Sequence, residues 1–241
     1  MIFKYNLNIY IMLSMLVYLC LYILFYFDFW LNFCIIISLF YWIYCCMKIA
    51  SAEFIKSVPN IKQCPNLNLP EFAFFWRSNV WKSSLINMLT QRKDLAKCSK
   101  IPWKTKLFNF FLINKTWVIV DLPWYGYAKS GNQDRKQWLD FAQEFLSGRE
   151  SLKKTFLLID GSIPPQKIDF EMMKCFMEEN IDFALIFTKL DKCNQKDRSK
   201  NQKLFQEEMK KNLIKTVEKF FVDNIHWKWR DELLSFIENL I

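Results

Sequence analysis

The amino-acid sequence predicts an α/β protein built around a mostly parallel sheet. Beyond residue 70, short apolar runs alternate with amphipathic stretches, which is the pattern of consecutive βα units. Strands are predicted at residues 72–75, 107–113, 118–121, 155–160, 183–188 and 220–222. Helices are predicted at residues 83–91, 135–146, 166–179, 195–218 and 230–240. Because open α/β sheets bind ligands at the carboxyl ends of their strands, we expect functional residues in the loops that follow the strands.

The composition excludes several classes of protein. A hydrophobic fraction of 52% with 24% charged residues excludes a disordered chain, and 4 glycines with 7 prolines exclude collagen-like or linker sequences. The eight cysteines form no CxxC pair and there is one histidine, so no zinc cluster is predicted and free thiols in a reducing cytosol are expected. Glycine is scarce, since ordinary usage would give about 17 in a chain of this length. The chain instead holds 10 tryptophans.

Residues 1–46 are predicted to be an apolar extension of the domain that follows. Their only charges are Lys4 and Asp28, and the run at residues 9–27 is long enough to cross a hydrocarbon core of about 30 Å. Hydropathy therefore predicts one membrane helix, or two if residues 29–46 form a second. The extension contains no Ala, Gly, Thr, Pro or Arg, whereas packed membrane helices use small residues. Its residue types have T-rich and A-rich codons, so translated upstream DNA is the alternative, with translation starting at Met47.

Residues 47–241 are basic, and the whole formal charge of +9 lies there because Lys4 and Asp28 cancel. Such a surplus favours polyanions, either RNA or an anionic membrane surface, through long-range attraction. The alternative is a solvated surface that is rich in lysine. Residues 207–219 illustrate the ambiguity, because lysines and glutamates alternate there at helical spacing.

The loop after the first predicted strand resembles a phosphate-binding loop. The segment WRSNVWKSS has the length and the Lys-Ser ending of the GxxxxGK[ST] motif, with tryptophan at both glycine positions. Lys82 would neutralise the β and γ phosphates, Ser83 would coordinate magnesium, and loop amides at the helix start would hold the anion. The nucleotide-contacting residues predicted here are Trp76, Arg77, Ser78, Asn79, Val80, Trp81, Lys82 and Ser83.

Two further elements follow later strands in the order that a guanine-nucleotide site requires. Asp121, Leu122, Pro123 and Trp124 match DxxG, in which the carboxylate reaches magnesium through water; tryptophan again replaces glycine. Thr188, Lys189, Leu190 and Asp191 match TKxD, in which the carboxylate accepts two hydrogen bonds from guanine and the lysine packs along the base. Adenine offers no matching pair of donors. The three elements together predict a site for GTP and GDP with Mg²⁺.

Five segments make the resemblance closer, namely SAEFIKSVPNIKQCP, LPEFAF, RSNV-KSSLINMLT, DLP-YGYAKS and IPPQKID. Over residues 47–241 they resemble the EngB family, also called YihA or YsxC. The resemblance implies a P-loop GTPase domain of the translation-factor-related class, with a six-stranded mixed sheet flanked by helices. It also implies a cytoplasmic enzyme that hydrolyses GTP, assists assembly of the large ribosomal subunit on its precursor and rRNA, and is needed for cell division and septation. A monomer is expected, with no membrane partner unless residues 1–46 belong to the protein.

The same resemblance implies further site residues. Switch I would span residues 101–111, with Thr105 as the second magnesium ligand beside Ser83. The guanine-facing loop would lie at Val222, Asp223 and Asn224. Tyr125 stands where Ras-like enzymes carry a water-orienting glutamine, so hydrolysis cannot depend on that residue. Asn79 is a candidate potassium ligand, or alternatively a residue that caps the loop. The switch residues predicted to contact nucleotide are Trp103, Lys104, Thr105, Lys106 and Leu107.

Tryptophan occupies six positions at which the family has glycine. Decay of an inactive GTPase would scatter many residue types and would erode Lys82, Ser83, Asp121 and Asp191, which are intact. We hypothesise that the gene reads UGA as glycine and that these positions are glycine in the biological protein. If they are tryptophan, the loops can no longer adopt positive φ easily or bring their amides close to phosphate. The alternative function is then a membrane-anchored interaction protein that does not bind nucleotide. The six positions are Trp76, Trp81, Trp103, Trp124, Trp227 and Trp229.

Overall fold

A computed structural model describes most of the second of two units into which the chain divides, Met1–Cys46 and Met47–Ile241. The described residues are 16–17, 48–76, 82–93, 95–96, 107–122, 143–146, 148–223 and 228–241; for Trp76, Lys82, Ser83 and Lys228 only the backbone is described. In these ranges no helix is long and apolar enough to cross a membrane. The predicted membrane segments, at residues 9–27 and 29–46, lie outside the description except for Leu16 and Val17.

The described part of the chain forms one seven-stranded mixed sheet in the order β1-β3-β4-β2-β5-β6-β7. β3 pairs antiparallel with both β1 and β4, and the other neighbours pair in parallel. This architecture confirms the predicted α/β fold class, with seven strands where six were expected. The strands are β1 Ala52–Val58, β2 Glu71–Trp76, β3 Phe108–Ile113, β4 Trp117–Asp121, β5 Leu152–Asp160, β6 Phe183–Thr188 and β7 Lys219–Phe221.

Four helices connect or follow these strands. The predicted helix at residues 195–218 is too long, because α3 ends at Lys211. There the N–H of Ile214 donates to the carbonyl of Met209 and Leu213 takes a φ of 55°, which is the Schellman arrangement that stops a helix. Of the helix predicted at residues 135–146, the description covers residues 143–146, which are helical. The helices are α1 Lys82–Thr90, α2 Lys167–Glu178, α3 Gln195–Lys211 and α4 Lys228–Glu238.

Alternate strand residues point to opposite faces of the sheet, so the core has two parts. On one face, residues such as Leu157 and Phe187 pack with apolar residues of α2 and α3. On the other face, Phe156 and Ile186 pack with α1 and α4. Central strands therefore read as continuous apolar runs, and the parallel sheet lies between two helical layers. This arrangement leaves the two edges formed by the strand ends open to solvent-facing loops.

Candidate functional site at the carboxyl edge of the sheet

Five parallel strands end at one edge of the sheet, which we call the carboxyl edge. β2, β4, β5, β6 and β7 run in the same direction, so the residues that follow them meet there. In the register of β5 and β6, Asp160 lies opposite Thr188. The end of β2 lies beside β5, with Trp76 opposite Leu158. Parallel pairing thus brings together elements that are far apart in sequence.

The Thr188–Asp191 element forms a tight turn at the end of β6. Thr188 is buried, and its hydroxyl donates to the carbonyl of Ile159 on β5 at 3.1 Å. Lys189 takes a left-handed conformation with a φ of 59°, and a short 3-10 helix follows at Leu190–Lys192. This sharp change of direction places the residues after β6 directly above the end of the strand, where the carboxyl-edge loops meet.

Lys189 is held by a carboxylate that sequence reasoning did not include in the site. Its ammonium group donates to Oδ2 of Asp160 at 2.7 Å, and both side chains are largely buried. The other oxygen of Asp160 accepts from the backbone N–H of Ser162 at 3.1 Å and from its hydroxyl at 2.6 Å. Asp160 therefore fixes the lysine in one geometry. The signal that could have found it is an acid as the last residue of an apolar strand.

Asp191 differs from Asp160 in its hydrogen bonding. Its Oδ1 atom is buried and has no hydrogen-bond partner within the described ranges. A buried carboxylate oxygen without a donor is costly, so such an atom in a folded protein calls for an explanation. A ligand that offers N–H groups is one such explanation, and the position at a sheet edge where α/β proteins bind ligands agrees with it.

Gly161 allows the loops after β5 and β6 to pack against each other. Its N–H donates to the carbonyl of Thr188 at 2.9 Å. A Cβ atom on Gly161 would lie 2.6 Å from Cδ2 of Leu190 and 3.1 Å from the Thr188 carbonyl oxygen. A larger residue at position 161 would therefore have to displace the Leu190 side chain, which couples the turn at Leu190 to the end of β5.

Asp121, the last residue of β4, is fixed to the antiparallel side of the sheet. It is buried, and its Oδ2 accepts from the side-chain amide of Asn109 on β3 at 3.0 Å. The amide oxygen of Asn109 in turn accepts from the hydroxyl of Ser57 on β1 at 2.5 Å. The next residue, Leu122, donates its N–H to the Phe74 carbonyl of β2 at 3.0 Å. Strand β1, which no sequence pattern predicted, thus supports this carboxylate.

The predicted phosphate loop joins β2 to α1, as expected from a strand-loop-helix arrangement. β2 ends at Trp76 and α1 begins at Lys82. Leu107 is half-buried just before β3. The remaining predicted residues of the phosphate loop, switch I and the DxxG element lie outside the description: Arg77, Ser78, Asn79, Val80, Trp81, Trp103, Lys104, Thr105, Lys106, Pro123 and Trp124.

The predicted guanine-facing loop follows β7 at the same edge. Val222 is buried and donates its N–H to the Phe187 carbonyl at 2.7 Å. The carbonyl of Asp223 accepts from the indole N–H of Trp229 at 2.9 Å, and that indole is buried at the start of α4. Asn224 lies outside the described ranges. The chain therefore accommodates a tryptophan at position 229, one of the six positions discussed above.

Comparison with known proteins identifies the family. A family model described as "50S ribosome-binding GTPase" matches residues 71–189. The probable GTP-binding protein EngB of Christiangramia forsetii is 45% identical over 194 residues, which cover 80% of this chain and 98% of that relative. The chain belongs to the EngB family of GTP-binding proteins.

Other EngB proteins give the same result. The probable GTP-binding protein EngB of Bacteroides fragilis is 43% identical over 194 residues, covering 80% of this chain and 96% of the relative. A crystal structure of a probable EngB has a TM-score of 0.51 and 21% identity, and covers 70% of this chain and 99% of that one. The structural likeness supports the fold, and the sequence identity supports the EngB assignment. The predicted resemblance is thus confirmed, and with it GTP binding and general GTPase activity.

Proposed function

We propose that this EngB protein is a cytoplasmic GTPase switch that assists assembly of the large ribosomal subunit and is needed for normal cell division and septation. The observation that carries the nucleotide assignment is the buried Oδ1 of Asp191, which has no hydrogen-bond partner among the described residues and lies beside the fixed Lys189. The description "50S ribosome-binding GTPase" of the matching family model supports the ribosomal partner. No catalytic side chain is assigned.

Guanine recognition follows from the chemistry of the Asp191 carboxylate. The N1–H and the exocyclic amino group of guanine are adjacent donors, and a carboxylate accepts both. The ion pair with Asp160 holds the Lys189 stem in one place, which suits it to pack along the base. Thr188 anchors the turn to β5. Val222, Asp223 and Asn224 would close the other side of the base.

The phosphate groups and magnesium would lie on the β2 and β4 side of the same edge. Lys82 would neutralise the β and γ phosphates, and Ser83 and Thr105 would be the magnesium ligands. The buried Asp121 carboxylate at this edge is a hard oxygen donor, which fits Mg²⁺ binding through water. When bound, Mg²⁺ would neutralise phosphate charge.

Hydrolysis is proposed to be slow in the free protein. Tyr125 replaces the water-orienting glutamine of Ras-like enzymes. Asn79 is proposed as a ligand of K⁺, which would offset transition-state charge in place of an arginine. Docking on the ribosomal precursor would then raise the rate.

We propose that the six tryptophans at family glycine positions are glycine in the biological protein. UGA at those codons, with UGG at Trp117 and Trp138, is the expected result of sequencing the gene. UGG throughout would overturn the proposal.

Position 229 provides a physical test of the same proposal, because the Trp229 side chain is buried and hydrogen bonded. If glycine is the biological residue, Trp229→Gly leaves stability in urea unchanged or higher. Loss of a well-packed aromatic side chain costs about 3–5 kcal/mol, and a loss of that size would count against glycine at position 229.

Nucleotide selectivity tests the central assignment. In the protein with glycine at the six positions, Asp191→Asn should weaken GDP binding and shift preference towards xanthine nucleotides, whose base carries an oxygen where guanine has an amino group. Glu178→Gln, an exposed acid on α2, is the matched control. Titrations with labelled GDP, XDP and ADP measure the preference. Unchanged guanine selectivity would refute the role of Asp191, and loss of tight binding is expected for Lys82→Ala.

Translation of the functional protein is proposed to begin at Met47. The aligned EngB relatives account for four fifths of the chain. The test is N-terminal peptide mapping with cell fractionation. A peptide beginning at Met47 or Lys48 in the cytosolic fraction is expected, and peptides from residues 1–46 in membranes would replace the cytoplasmic proposal by a membrane-tethered one.

A further inference from the structure

Helix α3 carries a line of exposed lysines along its solvent-facing side. Lys196, Lys200, Lys203, Glu207 and Lys210 follow one another at intervals of three or four residues, and all five are exposed. Residues at this spacing lie on one face of a helix. With a rise of 1.5 Å per residue, the line is about 21 Å long. We call Lys196, Lys200, Lys203 and Lys210 the lysine stripe.

The opposite face of α3 fixes the direction of the stripe. Phe205 and Met209 are buried in the core. The Phe205 ring packs against Phe170 of α2 and Phe187 of β6, with ring centroids 4.9 Å apart in both pairs. Because this face is held by α2 and by the sheet, the helix cannot rotate to bury its lysines. The positive face is therefore a fixed feature of the domain.

The lysines of the stripe form no ion pair with any other residue of the described chain. Lys211, which flanks the stripe, does pair with Glu208 at 2.6 Å. Helix α3 has six basic and three acidic residues, whereas α2 has two basic and three acidic ones. The surplus of positive charge along this fixed line, which Glu207 interrupts once, attracts a polyanion over long range.

Polar side chains and a cleft lie beside the first turns of α3. The cleft has a volume of about 330 Å³ and is lined by Leu190, Cys193, Gln195, Arg198, Ser199 and Gln202. Arg198, Ser199 and the two glutamines offer hydrogen-bond donors close to the stripe. Leu190 belongs to the Thr188–Asp191 element, so this surface borders the proposed guanine site.

We propose that the lysine stripe binds the phosphate backbone of RNA. This inference rests on the proposed function, in which the partner is the precursor of the large ribosomal subunit, and it names the surface that meets the RNA. Lysine is a compact point charge suited to phosphates. Lys196, Lys200 and Lys203 are about one helical turn, 5.4 Å, from one to the next, and Lys210 lies about two turns beyond Lys203. Protein partners instead favour aromatic and arginine anchors over lysine. Helix α3 itself has no exposed large apolar side chain to insert into a membrane, and the exposed Leu213 lies beyond its last residue.

The test compares two pairs of lysine substitutions in the full-length protein. Lys200→Gln with Lys203→Gln removes the centre of the stripe. Lys167→Gln with Lys174→Gln removes two exposed lysines of α2 and is the matched control. The probe is a short labelled RNA duplex, and fluorescence anisotropy is measured over a range of KCl concentrations. Thermal unfolding of each variant checks that the fold is retained.

The stripe variant should bind the duplex at least tenfold more weakly at low salt. Its plot of log affinity against log salt should be shallower by about 1.8, because two phosphate contacts are lost. The control should keep the affinity and slope of the parent. Equal loss in both pairs, or no loss in the stripe variant, would overturn the proposal.

Two further probes test whether the lysine stripe binds a membrane or an acidic protein instead of RNA. Binding of the parent to phosphatidylserine vesicles or to polyglutamate, but not to the duplex, would also overturn it, in favour of a membrane or an acidic protein. GDP titration is run in parallel. If the parent protein fails to bind RNA but selects guanine nucleotides, only the proposal for the lysine stripe is rejected. If the parent binds RNA but does not select guanine nucleotides, only the nucleotide assignment is rejected.

Discussion

At the amino edge of the parallel strands, hydrogen-bond acceptors enclose the basic groups of Arg149 and Lys154. At the carboxyl edge, by contrast, Asp191 keeps a buried oxygen that has no hydrogen-bond partner in the described chain. Arg149 forms a two-pronged pair with Glu71 at the start of β2 and also donates to the Pro65 carbonyl. Lys154 of β5 lies between Asp182 and Glu218, at 2.8 and 3.3 Å. The buried charged groups of the described strands thus form a closed network on the amino side, whereas the carboxyl side holds a carboxylate oxygen without a described partner.

The difference shows what each edge is built for. Paired buried charges hold strand starts together, and their mutual hydrogen bonds leave less capacity for a ligand. An unpaired buried acceptor lowers stability, and a bound ligand can supply its partner. Four substitutions, described in order of decreasing effect on stability, can break or sharpen this contrast.

Glu71→Ala should have the largest effect. The Glu71 side chain is 1% exposed, and Arg149 would keep its charge without the acid that balances it. Burial opposes the charged form of Arg149, but the hydrogen bond and charge of Glu71 outweigh it and raise the pKa of Arg149. Removing one member of a buried pair costs about 3–5 kcal/mol, measured here by urea unfolding. Replacing both residues by methionine should recover much of the loss; no recovery would mean that the loss is due to packing alone.

Gly161→Ala should cost about 1–3 kcal/mol, because the new methyl group overlaps Leu190 in a packed site. It should also weaken nucleotide binding, since Leu190 directly precedes Asp191. A double-mutant cycle with Leu190→Ala checks the cause. The cost of Gly161→Ala should shrink in the Leu190→Ala background, and an unchanged cost would place the clash elsewhere.

The sequence predicts the centre of the sheet better than its margin. β6 was predicted with its observed bounds, because FALIF is an apolar run buried on both faces. β1 was missed, since its residues are mostly exposed and it forms a strand through pairing with β3, which no local pattern records. The end of α3 was misplaced because charged residues continue the helical pattern past Leu213, where the backbone turns left-handed.

The candidate site divides in the same way. Thr188, Lys189 and Asp191 were found from the TKxD spacing, which is local in sequence. The pair between Lys189 and Asp160 was not found, because 29 residues separate them and only the register of β5 and β6 brings them together. The support of Asp121 by Asn109 similarly depends on the pairing of β3 with β4.

Glu218→Gln should have a small effect that depends on pH. A hydrogen bond from its own backbone N–H and the Lys154 ammonium lower the pKa of Glu218, against the opposing effect of burial. The unfolded state therefore takes up the proton at higher pH than the folded state. The contribution is present above the unfolded pKa and is lost as the pH falls through the folded pKa. Because Glu218 is half exposed, we expect about 0.5 kcal/mol or less at neutral pH. Urea unfolding at neutral and acid pH, with Glu207→Gln as the control, should show the difference vanish in acid.

Asp191→Asn should have the smallest effect on stability, and any difference should favour the variant. The buried Oδ1 of Asp191 accepts no hydrogen bond from a described residue, so the substitution breaks no described hydrogen bond to that oxygen. It also removes the cost of burying a charge there. We expect the free energies of unfolding without nucleotide to agree within about 0.5 kcal/mol. With GDP present the parent should gain stability by mass action, and the variant should gain much less because it binds GDP weakly. A loss above about 1 kcal/mol without nucleotide would assign Asp191 a structural role like that of Glu71 and remove the contrast between the two edges.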